Sequence, residues 1–355
     1  MNGFDLNKYC AVLAKEFDFA KELNSQARQA AAERAWFAIS RFFDNCKSGT
    51  PGKKGYPQFQ KDSRSVEYKT TGWLLSEDCR HITFSDKKCI GRLKMLGTRD
   101  LSFYSAEQIK RVRLVKRADG FFVQFSVKVD RTEALEPTGS VVGLDVGLES
   151  FYTDSNGEKV PNPRFYRKGQ QAMRQRQRRV SRKVKGSKNR AKARVRLAKK
   201  HLSISRQRQD HAIKLARCVI SSNDVVVYEN LKVRNTVKHH CLAKSINDAG
   251  WYQFRTWLEY FGKVFGRITL AVEPAYTSQE CSNCGVIVKK SLSTRTHVCQ
   301  CGCRLDRDEN AALNILAKGI GMKGHFKTVA LDARNASGEM TTTLTGVILS
   351  QQVAS

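Results

Sequence analysis

Residues 141 to 148 read VVGLDVGL, an apolar run with a single acid, Asp145, inside it. Two further apolar runs, DVVVYENL at 224 to 231 and RITLAVEP at 267 to 274, follow after helical stretches. Short apolar runs of this kind are typical of buried strands. Strands that are interleaved with helices indicate an α/β domain. We therefore predict an α/β fold for the second half of the chain.

The segment between the first two runs, residues 164 to 217, is strongly basic. It holds 21 Lys or Arg residues and one acid, Asp210, and so supplies +20 of the formal net charge of +30. A sparse apolar stripe at helical spacing predicts long helices with one thin apolar face: Ala191, Val195, Ala198 and Leu202. Solvated helices normally mix both charges, because opposite charges three or four residues apart stabilise them. The excess of basic residues therefore indicates an anionic partner.

The composition of the whole chain narrows the class of protein further. Its 355 residues suffice for about two domains, and 41% hydrophobic residues exclude a disordered chain. No run approaches the roughly 18 apolar residues of a membrane span, and the first residues lack the pattern of a signal peptide. These features exclude a membrane protein and a secreted scaffold and predict a cytoplasmic location. They leave nucleic acid or an acidic membrane surface as the partner.

The first half of the chain shows helical and then strand patterns. Residues 4 to 48 predict two helices, the second beginning near the candidate N-caps Asn24 and Ser25. One face of that second helix is predicted to be buried: Ala32, Trp36, Ile39, Phe43 and Cys46. From about residue 58 to 136 apolar residues alternate, which predicts a small β domain. Residues 137 to 139 are predicted to form a hinge.

Five of the 11 cysteines fall within 23 residues: Cys281, Cys284, Cys299, Cys301 and Cys303. In a reducing compartment such a cluster favours a metal site over disulfides. Zinc binds about four thiolates in a tetrahedron, and two short turns on facing hairpins, the first four of these cysteines, would supply two each. The second turn is a compressed C-x-C, so two alternative ligand sets stay open. These are Cys301 with Cys303, or His297 with two of the cysteines.

Several carboxylates flank the predicted strands and the last predicted helix. Asp145 lies inside one apolar strand, Glu229 ends another, and Asp306, Asp308 and Glu309 open a helical segment. A carboxylate inside an apolar strand costs free energy unless a cation compensates it. Three carboxylates brought together would hold two divalent ions about 4 Å apart, which would activate a water and stabilise the leaving 3′ oxygen in phosphodiester cleavage. Mg²⁺ suits such oxygen ligands.

These segments together resemble the transposon-encoded TnpB (OrfB) nucleases, relatives of the type V CRISPR effectors. GLDVGL (143 to 148), VVVYENL (225 to 231) and DRDENAALNI (306 to 315) are similar to the three RuvC-type motifs of that family. The stretch from 246 to 285 and SQARQAAAERAWFAISRFF (25 to 43) extend the similarity, which covers roughly residues 20 to 320.

The resemblance implies an RNase H-like RuvC nuclease domain with an inserted zinc ribbon, a β-barrel wedge domain and a small helical recognition lobe. The implied boundaries are 1–50 for the helical lobe, 51–137 for the wedge, 138–275 for the nuclease domain with its basic block, 276–305 for the ribbon, 306–320 for the last RuvC helix and 321–355 for a disordered tail. Family members usually begin with an additional strand and helix, so the barrel is expected to lack its first strand or to borrow one.

Carried over residue by residue, the resemblance implies that Asp145, Glu229 and one acid of the DRDEN segment are catalytic and bind Mg²⁺ or Mn²⁺. Asp308 is the predicted third acid, because it stands two residues before Asn310, as in the family pattern D-x-N-A-A. Asp306 is the alternative, and is expected to be a structural neighbour of the ribbon.

The function that follows from the resemblance is an RNA-guided DNA endonuclease. A guide RNA from the transposon end would lie against basic residues of the block: Arg176, Arg179, Lys183, Arg190 and Arg194. Base pairing would read the double-stranded target DNA, while the protein reads a short adjacent motif. The alternatives are a guide-dependent DNA-binding protein that does not cut, and a transposase or accessory factor. No membrane partner is expected, and the oligomeric state is left open.

Overall fold

The structure, a computed structural model, describes residues 2–49, 52, 54–59, 62–86, 90–97, 100–238, 240–291 and 294–321. The chain divides into two compact units, Met1–Asp130 and Arg131–Ser355. The tail for which disorder is predicted lies, after Gly321, outside the described residues. None of the helices in the described ranges is long and apolar enough to cross a membrane.

The first unit has helices followed by short strands, as its sequence predicts. Its helices are α1 (Gly3–Glu16), α2 (Asp18–Glu22) and α3 (Ser25–Lys47). Its strands are β1 (Ser65–Lys69), β2 (Trp73–Leu75), β3 (His81–Phe84), β4 (Arg92–Lys94), β5 (Ile109–Arg117) and β6 (Gly120–Val127). The Asn24 side chain accepts a hydrogen bond from the backbone N–H of Gln26, at 2.8 Å, which confirms Asn24 as the N-cap of α3.

The predicted buried face of α3 is wrong in its second half. Phe43 is 51% exposed, and Cys46 is exposed as well. The reason is the place where the neighbouring helix, α1, begins. Gly3, the first residue of α1, lies beside Trp36, so α3 extends about ten residues past the start of α1. Beyond Trp36 the apolar stripe therefore has no helix of its own unit to pack against among the described residues.

The strands of the first unit form two antiparallel sheets in the described ranges, with the orders β1-β5-β6 and β2-β3-β4. Both sheets contribute to one apolar core, in which Tyr68, Ile82, Ile109 and Val112 are almost fully buried. The alternation of apolar residues predicted these strands. Closure of the sheets into a barrel stays a prediction.

The second unit alternates strands and helices. Its strands are β7 (Val141–Val146), β8 (Ser150–Asp154), β9 (Lys159–Pro161), β10 (Val225–Glu229), β11 (Ile268–Val272), β12 (Thr296–Val298) and β13 (Arg304–Asp306). Its helices are α4 (Phe165–Ser181), α5 (Lys188–Ser222), α6 (Val233–Thr236), α7 (Ala243–Ala249), α8 (Trp251–Phe265) and α9 (Arg307–Ile320). The three apolar runs of the sequence become β7, β10 and β11, which confirms the predicted α/β class.

The central sheet of this unit has five strands in the order β11-β10-β7-β8-β9. Strands β11, β10 and β7 are parallel, whereas β8 and β9 continue the sheet in antiparallel fashion. Side chains alternate between the faces, so Val226 and Tyr228 pack with α5 and α8, while Val225 and Val227 pack with α9. Helices on both faces explain why these strands are apolar throughout.

The basic block forms two long helices, α4 and α5, as predicted, but the predicted apolar stripe of α5 is wrong at three of its four positions, and Leu202 alone is half-buried. Val195 is 47% exposed, and Ala191 and Ala198 are exposed too. The side chains that turn inward are one or two positions away, with the same helical spacing: Ala193, Leu197, Lys200 and Ile204. Ile204 packs against Gly169 of α4, where a Cβ would stand 2.9 Å from the Ile204 side chain. Helical spacing alone cannot distinguish these two faces, because α4 decides which one is covered.

Residues 137 to 139, the predicted hinge, are fastened to the second unit. The carboxylate of Asp224 accepts hydrogen bonds from the backbone N–H groups of Thr138 (2.9 Å) and Gly139 (2.7 Å), and it also pairs with Arg267. The start of β7 is therefore fixed beside the start of β10.

Candidate active site and metal centre

Two of the predicted acids lie at the ends of neighbouring parallel strands. In the register of β7 and β10, Gly143 is paired with Val227 and Leu144 with Tyr228. The next position brings Asp145 beside Glu229. Because the carboxyl ends of parallel strands meet at one edge of a sheet, the backbone itself holds these two carboxylates together.

The third acid, Asp308, is delivered by the first turn of α9. This helix packs closely on the sheet: a Cβ on Gly143 would clash with the carbonyl oxygen of Ala312, and one on Gly319 would clash with Val227. Ala312 lies over β7, and Asp308 is one helical turn before it. The charges of Asp308 and of Glu229 both act on Asp145, so both of these acids lie near Asp145.

The alternative acid, Asp306, has a different set of contacts. It is the N-cap of α9, accepting the backbone N–H of Asp308 at 2.9 Å, and its other oxygen pairs with Lys159 at 2.7 Å. The Asp308 carboxylate is held by Arg307, with hydrogen bonds of 3.0 and 3.1 Å to one oxygen, and Arg295 stands 4.0 Å from the other. Both carboxylate oxygens of Asp306 are therefore engaged in contacts that stabilise the structure.

The electrostatics of the three acids show that they interact. Burial raises the pKa of Asp145 well above its usual range, and the negative charges of Glu229 and Asp308 raise it further. Burial also raises the pKa of Glu229, against the opposing effects of a 2.5 Å hydrogen bond from Thr277 and the charge of Lys318. A divalent cation beside Asp145 would favour the charged form of its carboxylate. Carboxylate oxygens are the donors that Mg²⁺ prefers.

Two buried asparagines, which the sequence analysis does not single out as functional, fasten α9 to the segment before the cysteines. Asn310 accepts the backbone N–H of Ser282 at 3.0 Å and donates to the carbonyl of Glu280 at 2.8 Å. Asn314 donates to the carbonyls of Thr277 (2.9 Å) and Glu280 (2.7 Å). Their spacing of four residues places both on one helix face. Two amide side chains four residues apart, among the apolar residues of this helix, were the feature of the sequence from which this role could have been predicted.

Replacing Asn310 with alanine is expected to destabilise the second unit. The Ser282 N–H would lose its acceptor in a buried place, which costs about 1–3 kcal/mol. In a unit of this size that corresponds to a fall in Tm of about 3–10 °C, measured by calorimetry on the full chain. Asn247→Ala on α7, where the exposed side chain bonds only to its own helix, is the matched control. Equal shifts in Tm for the two variants would contradict the role of Asn310.

The cysteines lie on two hairpin turns that face each other. The first turn contains Cys281 and Cys284 and is closed by a bridge between Glu280 and Ile287. The second connects β12 and β13. Each turn contains a glycine with a left-handed backbone, Gly285 (φ 76°) and Gly302 (φ 84°), a conformation that glycine adopts without steric cost.

The sulfurs of the two turns are close enough to share one metal ion. The Sγ atoms of Cys281 and Cys301 are 3.7 Å apart, and those of Cys284 and Cys299 are 3.5 Å apart. All four lie within 4.8 Å of one another. Zn–S bonds of about 2.3 Å in a tetrahedron place sulfurs about 3.8 Å apart, so the four thiolates fit zinc. Hydrogen bonds from the Cys303 N–H and from Asn283 lower the pKa of Cys301 to about 6, which favours the thiolate.

A second group of possible ligands overlaps the first. Cys281, His297 and Cys303 also offer donor atoms within 4.8 Å of one another. His297 is fully buried, with Nδ1 against Lys290, and among the described residues its Nε2 has no hydrogen-bond partner. Burial, and then the charge of Cys281, raise the pKa of Cys303 to about 11. The four cysteines form the more complete set, because they supply four ligands rather than three.

Comparison with known protein families covers both parts of this site. A family model described as "Probable transposase" matches residues 124–240, which include Asp145 and Glu229. A second model, described as "Cas12f1-like, TNB domain", matches residues 251–315, which include Asp308 and the cysteines.

A putative RNA-guided DNA endonuclease of Streptomyces pristinaespiralis is 34% identical over 311 residues, which are 86% of this chain and 74% of that protein. The chain belongs to the TnpB (OrfB) family. Another relative of this TnpB-family chain is the putative RNA-guided DNA endonuclease InsQ of Escherichia coli K12, 29% identical over 86% of the chain and 77% of InsQ.

The fold is also similar to a solved structure, the Cas12f1 protein in a complex with an sgRNA and target DNA. The TM-score is 0.50 with 16% identity, over 82% of this TnpB-family chain and 70% of Cas12f1. At that identity the match shows a shared mixed α/β fold.

Proposed function

We propose that this TnpB-family chain is an RNA-guided DNA endonuclease that hydrolyses a phosphodiester bond at Asp145, Glu229 and Asp308. The proposal is supported by the positions of Asp145 and Glu229 at the ends of adjacent strands and of Asp308 in the first turn of α9, with the charges of Glu229 and Asp308 both acting on Asp145. Relatives that are named RNA-guided DNA endonucleases support it. The five-stranded mixed sheet that holds the acids supports the RNase H-like RuvC domain that the resemblance implies.

The three carboxylates would hold Mg²⁺, or Mn²⁺, as two ions. When bound, such ions lower the pKa of a water and stabilise the charge that develops on the leaving 3′ oxygen. The protein's own contribution is to fix the ligands in advance. Thr277 holds one oxygen of Glu229, Arg307 holds one oxygen of Asp308, and the strand register holds Asp145. Fixed ligands need no rearrangement during the reaction.

The helices α4 and α5 would bind nucleic-acid phosphates. Of the five predicted basic residues, Arg179, Lys183 and Arg194 are exposed. Arg176 and Arg190 each donate one hydrogen bond to a backbone carbonyl, of Arg196 (3.1 Å) and Lys183 (3.0 Å). Contacts between basic side chains and phosphates supply binding affinity that falls as the salt concentration rises, and they carry no sequence information. A guide RNA from the transposon end would then read the target by base pairing.

The remaining assignments follow the same family reasoning. The four cysteines would hold a structural zinc ion that joins the two hairpin turns. Helices α1 to α3 would form the recognition lobe and strands β1 to β6 the wedge domain, with the predicted boundaries 1–50 and 51–137. Residues 276–305 would form the ribbon and 306–320 the last helix of the nuclease domain.

The proposal is tested with the purified full chain, co-expressed with RNA from its own locus. A plasmid carries a guide-matched target beside a randomised flank, and Mg²⁺ is supplied. Linearisation that requires both the RNA and the matched target is expected, and sequencing of the cut plasmids reveals the adjacent motif. Guided binding without cutting would contradict the nuclease function. Joining of a DNA with a free 3′ hydroxyl end would instead indicate the transposase function that the name of the matching family model suggests.

The choice between Asp308 and Asp306 is a separate prediction. Asp308→Ala is expected to reduce the cleavage rate more than about 100-fold, because it removes a metal ligand. Asp306→Ala removes the N-cap of α9 and the partner of Lys159. It is therefore expected to cost about 0.5–2 kcal/mol of stability and less than tenfold in rate. Rates are measured on guide-loaded protein at saturating Mg²⁺, and the reverse order would identify Asp306 as the ligand.

A further inference from the structure

A polar cavity of about 380 Å³ opens in the second unit. Three arginines contribute to its lining, Arg164, Arg167 and Arg295, together with the acids Glu149 and Asp248. Leu148 and Glu149, on its wall, follow Asp145 by three and four residues. Arg295 pairs with Glu149 at 2.7 Å and stands 4.0 Å from Asp308. The cavity therefore borders the candidate active site.

The two acids of the cavity are already neutralised. Glu149 pairs with Arg295. The buried carboxylate of Asp248 accepts the backbone N–H groups of Tyr166 (2.7 Å) and Arg167 (3.1 Å) at the start of α4, and it pairs with Arg208 at 3.2 Å. The backbone N–H groups at the start of α4 are thus already bound by a carboxylate of the chain itself, and they are not available to an external anion. Arg164 and Arg167 remain as the excess positive charge of the cavity.

Both of these arginines have neutral partners in the described part of the chain. The guanidinium of Arg164 donates to the carbonyl of Leu148 at 3.3 Å, and that of Arg167 donates to the hydroxyl of Ser245 at 3.0 Å. Neither has a carboxylate within 4.0 Å among the described residues. A guanidinium has five N–H donors in a planar fork, so each retains donors for an oxyanion.

The backbone holds Arg164 in place at some cost. Its φ of 49° and ψ of 48° are left-handed, a conformation that residues other than glycine rarely adopt. Asn162 stabilises it by accepting the Arg164 N–H at 3.2 Å and by donating to the same Leu148 carbonyl at 3.0 Å. The backbone of Arg164 is thereby held in the orientation that places its side chain in the lining of the cavity.

We propose that Arg164 and Arg167 bind one phosphate group of the DNA strand being cut, adjacent to the phosphate at the acids. The inference rests on the proposed endonuclease function and adds a subsite to it. Two arginine forks around an oxyanion give strong, charge-assisted hydrogen bonds. A strand fixed at a neighbouring phosphate presents the next phosphate to the acids with less freedom, which favours reaction.

The test replaces single phosphates of the cleaved strand with neutral methylphosphonates, at successive positions around the cut. With guide-loaded wild-type protein, cleavage is expected to slow about 10- to 100-fold at one position beside the scissile phosphate, the loss expected for a charged hydrogen bond. The double variant Arg164→Ala, Arg167→Ala is expected to cut unmodified DNA more slowly by a similar factor. The methylphosphonate at that position should then slow the variant no further.

The matched control is Lys168→Ala, which removes a positive charge from the adjacent position of α4 but does not line the cavity. It is expected to keep the full methylphosphonate effect. Arg164→Lys keeps a charge without the fork and should restore the cleavage rate in part. Melting temperatures of all variants separate misfolding from lost binding, and the single substitutions replace the double variant if it fails to fold.

The outcomes separate the inference from the function beneath it. Wild-type protein that does not cut guide-matched DNA overturns the proposed function and this inference with it. Wild-type protein that cuts, while the variants keep the wild-type methylphosphonate effect, overturns the inference alone. The inference would also be overturned if the variants cut more slowly but every methylphosphonate slowed them as much as it slows the wild type. The phosphate bound by the arginines would then lie outside the cleaved strand.

Discussion

Asp145→Ala is expected to lower the rate of guided DNA cleavage more than about 1,000-fold while leaving the guide RNA bound. Asp145 is the acid whose pKa is raised both by burial and by the charges of the other two carboxylates. Its removal would take away one of the three carboxylates that would hold the metal ions, and electrostatic stabilisation of this kind accounts for large rate factors. The basic helices α4 and α5, rather than the acids, would hold the RNA.

The measurement pairs single-turnover cleavage with a gel-shift titration of the RNA. Asp210→Asn, an exposed acid on α5 that pairs only with Lys214 in the described residues, is the matched control and should cut at the wild-type rate. The nuclease assignment would be abandoned if Asp145→Ala cut as fast as the wild type. Loss of RNA binding by Asp145→Ala would point to misfolding. Asp145→Asn, whose side chain has nearly the same shape, would then be used to separate the loss of the carboxylate from the loss of the fold.

Cys281→Ser is expected to abolish zinc binding and to destabilise the second unit by several kcal/mol. Structural zinc sites contribute about 10–16 kcal/mol of binding free energy in small peptides, and serine is a much poorer ligand than a thiolate. The loss should reach the active site, because Asn310 and Asn314 fasten the helix that carries Asp308 to residues 277–282, next to this cysteine. Cleavage and zinc content are therefore expected to fall together.

Zinc per chain is measured by elemental analysis after dialysis, alongside thermal unfolding. The wild type should hold about one zinc ion. Cys241→Ser, an exposed cysteine outside the cluster, should hold the same amount. Cys303→Ser decides between the overlapping ligand groups: it should keep zinc, whereas Cys301→Ser should lose it. Loss of zinc from Cys303→Ser with retention in Cys301→Ser would instead assign the metal to Cys281, His297 and Cys303.

The parts of the fold that the sequence predicts well are those fixed by local pattern. The apolar runs became β7, β10 and β11 because strands covered on both faces need apolar residues at every position. Asn24 was recognisable as an N-cap because its contact is two residues away. The clustered cysteines were recognisable because their spacing is that of hairpin turns.

The parts that the sequence does not predict depend on distant neighbours. The exposed end of α3 follows from where α1 begins, and the covered face of α5 follows from the position of Gly169 in α4. The acid at the start of α4 is Asp248, about 80 residues along the chain from the N–H groups it accepts. Neither helical period nor composition contains that pairing, so the cavity with its two arginines was not visible in the sequence.

The strand register places unequal mechanical constraints on the three acids. Asp145 and Glu229 lie on adjacent parallel strands, one position beyond the pair Leu144 and Tyr228, and separating them would require these two strands to part. Asp308 belongs to a helix whose position depends on side-chain amides and packing against glycines. A substitution that loosens the contacts of α9 would therefore displace Asp308 alone, whereas Asp145 and Glu229 would keep their relative positions as long as the sheet persists.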